Sequence, residues 1–162
     1  MANSFEIIRY KQQLMSLFIN NERIVELIDS KEVQDEDDIE SLIRTHIFDY
    51  IRIPSSPDEA KTYIAMEIDI PKIYTSESYL FKKLIITIHI ITHEELMPTI
   101  YDGTRIDLIS AEIDKMLNGY EGIGKKPLDL INNISGSISV KHRERIMQFV
   151  AEDMNKSLCL KK

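Results

Sequence analysis

Two neighbouring stretches of branched apolar residues constrain the fold more than any other feature of this 162-residue chain. In residues 63–70 every second side chain is apolar, namely Ile64, Met66, Ile68 and Ile70. This repeat of two is that of a β-strand with one buried face, and Pro71 is expected to end it or to bulge it. Residues 84–92 (LIITIHIIT) are apolar on both faces, so this strand requires cover on both sides. We predict that the two strands pair as one antiparallel hairpin, with the reversal at residues 75–79.

Helical periodicity lies on both sides of these strands. Residues 4–29 place apolar side chains broadly on one face, and Asn20–Asn21 predicts a break between two helices. Residues 104–118 give the strongest helical pattern, with Thr104 as the capping residue and Gly119 placed to end the helix. The apolar stripe of this helix consists of Ile106, Ile109, Ile113, Met116 and Leu117.

Three further segments carry weaker signals. Residues 39–45 predict one or two helical turns. Pro54 and Pro57 forbid a regular central strand, so residues 46–62 are predicted to be an extended, turn-rich crossing. Residues 145–153 fit a strand or a helix, because periodicity alone does not separate the two.

A short third strand is predicted at Leu128, Leu130 and Ile134. Its turn residues are expected to be Asn132, Asn133 and Gly136. One side of the sheet can be covered by the chain's own helices, and the other side by a neighbouring copy. The length suits a single domain over residues 1–162, with a frayed tail from about residue 157.

Composition excludes several classes of protein. The formal charge of −7 argues against wrapping nucleic acid, which needs a basic face, but it is compatible with DNA sliding through an acidic channel. The start MANSFEII lacks the order of a signal peptide, and no apolar run approaches the roughly 20 residues of a membrane span. The single cysteine, Cys159, cannot form an internal disulfide, so we expect assembly in a reducing cytosol.

Three motifs invite a chemical interpretation that their context does not support. Residues 119–126 (GYEGIGKK) nearly match a phosphate loop, but they follow a helix rather than a strand, and Lys126 replaces the required hydroxyl. His89 and His93 have the spacing of two zinc ligands on a helix, whereas on a strand they lie roughly 13 Å apart. The acidic run 35–38 lacks the alternate spacing of a calcium loop and is expected to be solvated.

Three stretches together resemble the tail terminator, or tail completion, proteins of long-tailed phages that infect Gram-positive bacteria. They are residues 47–73, residues 84–119 and the ending RERIMQFVAEDMN at 143–155. The most specific piece is TRIDLISAEIDKMLNG at 104–119. The resemblance implies an α+β fold, in which helices pack on one face of an antiparallel sheet of about four strands. It also implies no catalytic residue, metal or cofactor, and it favours a strand over residues 145–153.

The function implied by this resemblance is structural. Proteins of that family form six-fold rings on the last ring of the tail tube, stop its growth and dock to the head connector. The implied partners are further copies of the chain, the tail tube protein, the connector or head-closure protein, and DNA that passes through the lumen without specific binding. The implied location is the head-proximal end of the tail in the virion, after assembly in the host cytoplasm, with no membrane involved.

The sequence also suggests where copies of the chain meet. Because residues 84–92 are apolar on both faces and one helix layer covers one face, we predict Leu84, Ile86 and Ile91 as subunit or partner contacts. The basic stretch 141–145 suits a rim patch that meets an acidic partner. Two alternatives stay open: another neck or tail protein, such as a head-closure or tube component, and a small soluble enzyme.

Overall fold

Three helices and five strands make up the fold in the computed structural model, which describes residues 3–28, 40–72 and 80–155. Their bounds are α1 Asn3–Ile19, α2 Glu22–Ile28, β1 Ile47–Phe48, β2 Thr62–Lys72, β3 Phe81–His93, α3 Arg105–Leu117, β4 Asp129–Ser137 and β5 His142–Met154. A 3₁₀ turn over Glu94–Leu96 follows β3. Four predictions concern residues outside the described ranges: the acidic run 35–38, the reversal at 75–79, Cys159 and the frayed tail from residue 157.

The five strands form one sheet in the order β1-β2-β3-β5-β4. β1 runs parallel to β2, and every other neighbouring pair is antiparallel. The predicted hairpin of β2 and β3 is confirmed, with Ile64 opposite Ile90. Its register shifts between Asp69 and Lys72, where Pro71 lacks the N–H of a regular ladder, so the expected bulge is present.

The ends of the helices follow capping residues. α1 and α2 are separated at Asn20–Asn21 as predicted, and Asn21 Oδ1 accepts a hydrogen bond of 3.0 Å from Ile24 N in the first turn of α2. α3 begins after Thr104, whose side chain accepts a backbone N–H of the first turn, and Gly119 follows the helix with φ +84°. None of the helices that the structure describes is long and apolar enough to cross a membrane.

The main core lies between the helices and one face of the sheet, here called the helix face. Its fully buried side chains include Leu14, Phe18, Ile24, Ile64, Met66, Leu84, Ile86, Ile109, Ile113 and Phe149. Burying each large apolar side chain stabilises a fold by about 1.5–3 kcal/mol, so this layer contributes most of the driving force for folding. The predicted packing of helices on one face of the sheet is confirmed.

A segment without helix or strand crosses the opposite face of the sheet, here called the open face. This crossing segment, residues 49–61, contains Pro54 and Pro57 and is irregular as predicted. It lies over a second, smaller cluster of buried residues at one end of the open face. The members of that cluster are Phe48, Tyr63, Ala65 and Ile91.

Three residues predicted to form a turn belong instead to a strand. Asn132, Asn133 and Gly136 lie within β4 and pair with residues of β5. The prediction was wrong because β5 offers a 13-residue partner, and a continuous ladder outweighs the turn preference of single Asn and Gly residues. The chain turns only after Ser137. The strand that the resemblance favoured over residues 145–153 is confirmed as part of β5.

The strand β1 was not predicted. Residues 40–42 form a single 3₁₀ turn, and Ile47–Phe48 then pair in parallel with Ile64–Ala65. Two paired residues are too few for a recognisable period in the sequence. The predicted α+β fold is confirmed, and the mostly antiparallel sheet has five strands, one more than the roughly four expected, with one parallel pair.

Candidate interaction surface

The open face carries three rows of side chains that run across β2, β3, β5 and β4. In strand order the rows are Ala65–His89–Ile146–Ile134, Glu67–Thr87–Gln148–Asn132 and Asp69–Ile85–Val150–Asp129. The middle row is joined by hydrogen bonds: Asn132 Nδ2 donates to Gln148 Oε1 at 3.3 Å, and Gln148 Nε2 donates to Thr87 Oγ1 at 3.4 Å. One outer row combines the half-buried Ile85 and Val150 with the exposed carboxylates of Asp69 and Asp129, whereas the other contains no carboxylate.

The three predicted contact residues lie inside the chain. Leu84 and Ile86 are in the main core, and Ile91 is in the second cluster, against which Ile138 packs. The exposed fraction of each side chain is 0%. At these positions the chain itself supplies the cover that the two-sided apolar pattern requires. A contact between copies stays a prediction, and within residues 84–92 the half-buried side chains available for it are Ile85 and His89.

His89 and His93 both lie on β3, so the predicted strand placement is confirmed. Nδ1 of His89 lies 2.6 Å from Glu144 Oε1 of β5. Nε2 of His93 lies 3.1 Å from the carbonyl oxygen of Pro57, and its Nδ1 accepts a hydrogen bond from Glu95 N. Each histidine therefore has its own partners. In the described ranges no group of three or more His, Cys, Asp or Glu side chains has the arrangement of a metal site.

Hydrogen bonds from β2 and β5 hold the crossing segment on the open face. His142 packs edge-on against His93, with ring centroids 5.1 Å apart, and its Nε2 lies 2.9 Å from the Glu59 carbonyl oxygen. The Glu59 carboxylate accepts hydrogen bonds from the Tyr63 hydroxyl and from Ser55 N and Oγ, the latter two at 2.8 and 2.9 Å. The bond from Tyr63, helped by those from Ser55, lowers the pKa of Glu59 to about 2.

A buried charged cluster joins α1 to the other end of the sheet. Lys82 of β3 contacts Glu6 of α1 and lies 3.2 Å from Asp153 Oδ2 of β5. Tyr10 of α1 donates to the same Asp153 oxygen at 2.8 Å. Burial, followed by this bond, raises the pKa of Tyr10 to about 12. Burial opposes ionisation of Asp153, but its hydrogen bonds and the Lys82 charge together lower its pKa. Because opposite charges meet here, the cluster anchors α1 to the sheet.

The glycine-rich loop 119–126 connects α3 to β4, as its position after a helix predicted. Gly124 in this loop has φ +76°, a conformation that side chains with a Cβ rarely adopt. A Cβ at this position would also lie 2.8 Å from the carbonyl oxygen of Glu152. The loop therefore needs glycine in order to pack against β5.

The basic stretch 141–145 makes ion pairs within the chain. Lys141 Nζ lies 2.6 Å from Asp58 Oδ1 in the crossing segment, and Arg145 Nη2 lies 2.5 Å from Asp107 Oδ1 in α3. Both contacts join separate elements of the same subunit. An acidic partner, which the sequence predicts for this stretch, would compete with these carboxylates.

The fold defines a class, that of α+β domains with helices on one face of an open five-stranded sheet. A model of the YomW family matches residues 21–150, which is more than half of the chain. The chain belongs to the YomW family, which is phage-related.

One solved structure has a chain that superposes on this protein with a TM-score of 0.48 and 16% sequence identity. It comes from the "virion of native gene transfer agent (GTA) particle", and the match covers 68% of this chain and 79% of that chain. At this TM-score and identity the likeness carries no functional argument. No curated protein matches the chain.

Proposed function

We propose that this protein is a structural component of a phage virion, one that caps the tail tube at the junction of head and tail. Membership of a phage-related family supports the viral origin. The observation that supports a structural role is that the buried polar groups join elements of the fold to one another. The charged cluster around Lys82 ties α1 to the sheet, and the network around Glu59 ties the crossing segment to the open face. An enzyme instead needs titratable groups that converge on a cleft for substrate.

The proposed cap is a ring of copies of this chain, with six as the expected number. Such a ring requires two different surfaces of each subunit to meet, so that the contact repeats until the ring closes. A ring closed in this way has unlike top and bottom surfaces. One surface would bind the tail tube protein and stop its addition, and the other would bind the connector or head-closure protein.

The open face is the proposed lining of the lumen through which DNA passes. It carries the half-buried Glu67 and the exposed Asp69 and Asp129, and the whole chain has a formal charge of −7. Carboxylates repel the phosphates of DNA and release no counterions on contact, so DNA would slide past this face without binding.

Deletion of the gene from its phage tests the proposed function. We expect headless tails of uncontrolled length beside unattached heads, because nothing would stop the tube or dock it, and electron microscopy of the lysate measures both. A plasmid copy of the gene should restore normal particles. Tails of normal length beside leaky heads would assign the protein to the head side of the neck instead. Normal particles without the gene would reject a structural role at this junction.

A further inference from the structure

The outer edge of β4 is open to pairing with another strand. Among the described strands, β4 pairs with β5 alone, and all nine of its residues are exposed or half-buried. It contains no proline, lysine or arginine, which often protect a sheet edge from unwanted partners. At the start of the strand Leu130 N donates to Asn118 Oδ1 at 3.3 Å, so the part of this edge open to a further strand is the later part, around Ser135 and Ser137.

The ladder between β4 and β5 shows which residues of β4 face outward. Ile138 N donates to His142 O at 3.2 Å, which makes these two residues a hydrogen-bonded pair. Such pairs alternate along an antiparallel ladder, so Gly136 directs its N–H and C=O toward β5. Ser135 and Ser137 consequently direct theirs away from the sheet.

The opposite side of the sheet has a second edge at β2. In the described residues β1 covers β2 at Ile64 and Ala65 and then ends. Ile64 N donates outward to the His46 carbonyl oxygen at 2.7 Å. By the same alternation, Met66 and Ile68 also direct their backbone groups outward, beyond the end of β1.

The directions of the strands at these two edges allow antiparallel pairing between neighbouring copies. The strands β2, β3, β5 and β4 alternate in direction across the sheet. β4 of one copy therefore runs antiparallel to β2 of a neighbouring copy that has the same orientation.

The outward residues of the two edges also place their side chains on the same face of the sheet. Ser135 is opposite Arg145, which pairs with Asp107 of α3, so the outward residues of β4 place their side chains on the helix face. Met66 and Ile68 place theirs in the main core on the same face. Because paired residues of an antiparallel sheet share a face, a joined sheet keeps the helices of all copies on one side.

From these observations we propose that β4 of each copy pairs with β2 of the next, with Ser135 opposite Ile68 and Ser137 opposite Met66. This inference rests on the ring of the proposed function, since a ring needs two different edges to meet. Pairing of β4 with a second β4 would give a two-fold dimer, which cannot continue around a ring. In the proposed register Ile134 lies opposite Asp69 of the next copy on the open face.

Cysteine cross-linking in purified tails tests this register. One chain carries Ile134→Cys and another carries Asp69→Cys, each with Cys159→Ser, and both are supplied to phage that lacks the gene. Opposite residues of antiparallel strands bring their Cβ atoms within reach of a disulfide. We therefore expect a cross-linked dimer of the two chains under mild oxidation, identified by mass spectrometry, and no dimer with either chain alone.

Other outcomes of the cross-linking would show whether the proposed contact alone fails or the proposed function fails with it. A dimer formed by the Ile134→Cys chain alone would show two-fold pairing and overturn the proposed contact. Capped tails that contain both chains without a link would also overturn the contact, while the capping function would stand. Tails that never contain either chain would overturn the function and the contact with it.

A backbone substitution gives an independent measurement. Ser135→Pro removes an outward N–H, while the donors between β4 and β5 remain. We expect it to melt within about 5 °C of the parent chain. The hydrogen bond that this N–H makes to the next copy contributes about 0.5–1.5 kcal/mol, and it is lost at every contact in the ring. We therefore expect the number of capped tails to fall at least roughly tenfold. Ser135→Ala keeps the N–H and should cap normally; equal capping by both variants would overturn the contact.

Discussion

Glu59 is the side chain that most directly holds the crossing segment in place. Its carboxylate accepts hydrogen bonds from Tyr63 and Ser55, and Arg52 Nη2 lies 3.7 Å from it. These groups favour the ionised form, so the pKa of Glu59 is lowered from 4.5 to about 2 in the folded chain. A carboxyl group with a lowered pKa stabilises the fold fully above its ordinary pKa, and it loses this contribution as the pH falls through the folded value.

We predict that Glu59→Gln lowers the free energy of unfolding at pH 7 by about 1–3 kcal/mol. The parent chain should lose this contribution as the pH falls from 4.5 to about 2, whereas the variant has none to lose. Urea unfolding followed by circular dichroism across this range measures both effects. Asp69→Asn, which neutralises an exposed acid on β2 outside the crossing segment, is the control. If Glu59→Gln and Asp69→Asn change stability equally, Glu59 does not hold the segment.

At the scale of elements, the crossing segment takes the place of a partner at one end of the sheet. The segment contacts Phe48 and Tyr63 of the second cluster, and Ile138 packs against the same cluster, in which Ile91 is entirely buried. A strand that is apolar on both faces therefore does not by itself indicate a subunit interface. One end of its second face is covered by other parts of the same chain, and the rest is only half-buried.

Ile91→Asp should consequently unfold the chain rather than only prevent its assembly. A carboxylate in a dry cluster without a partner costs at least about 3 kcal/mol of stability. Ile85→Asp is the matched control, because Ile85 lies on the same strand and the same face but is half-buried, and we expect a loss near 1 kcal/mol. Urea unfolding compares the two, and similar losses would mean that the crossing segment does not seal its cluster.

At the scale of the whole molecule, the sheet separates two kinds of surface. The helix face is closed by α1, α2 and α3, whereas the open face keeps the carboxylates of Glu67, Asp69 and Asp129 at the ends of two of its three rows. In a ring that holds all helices on one side, the open faces of all copies form one continuous wall. Any charge on this wall is repeated once in every copy.

Asp129→Lys tests whether this wall faces the DNA. Asp129 is exposed at the end of β4, and reversing its charge in every copy should hold phosphates on the wall and slow DNA delivery. Release of DNA from purified particles, followed by dye fluorescence, measures the rate. Asp129→Asn should have a smaller effect, because it removes repulsion without adding attraction. Unchanged release by Asp129→Lys would place the open face outside the lumen.

The sequence by itself determined the elements whose signals are local. Alternation over residues 63–70 determined β2, and the run 84–92 determined its partner. Thr104 and Gly119 determined the ends of α3. Periodicity and capping act over a few neighbouring residues, so they can be recognised in the sequence without knowledge of the rest of the chain.

Only the tertiary structure decided which residues are buried and which strands pair. It placed Asn132 and Asn133 in β4, because a long partner strand outweighs their local preference for a turn. It buried Leu84 and Ile86 in the main core and Ile91 in the second cluster, and it left the later part of the β4 edge exposed. Burial and pairing depend on groups far apart in the chain, and these meet only when the domain is packed.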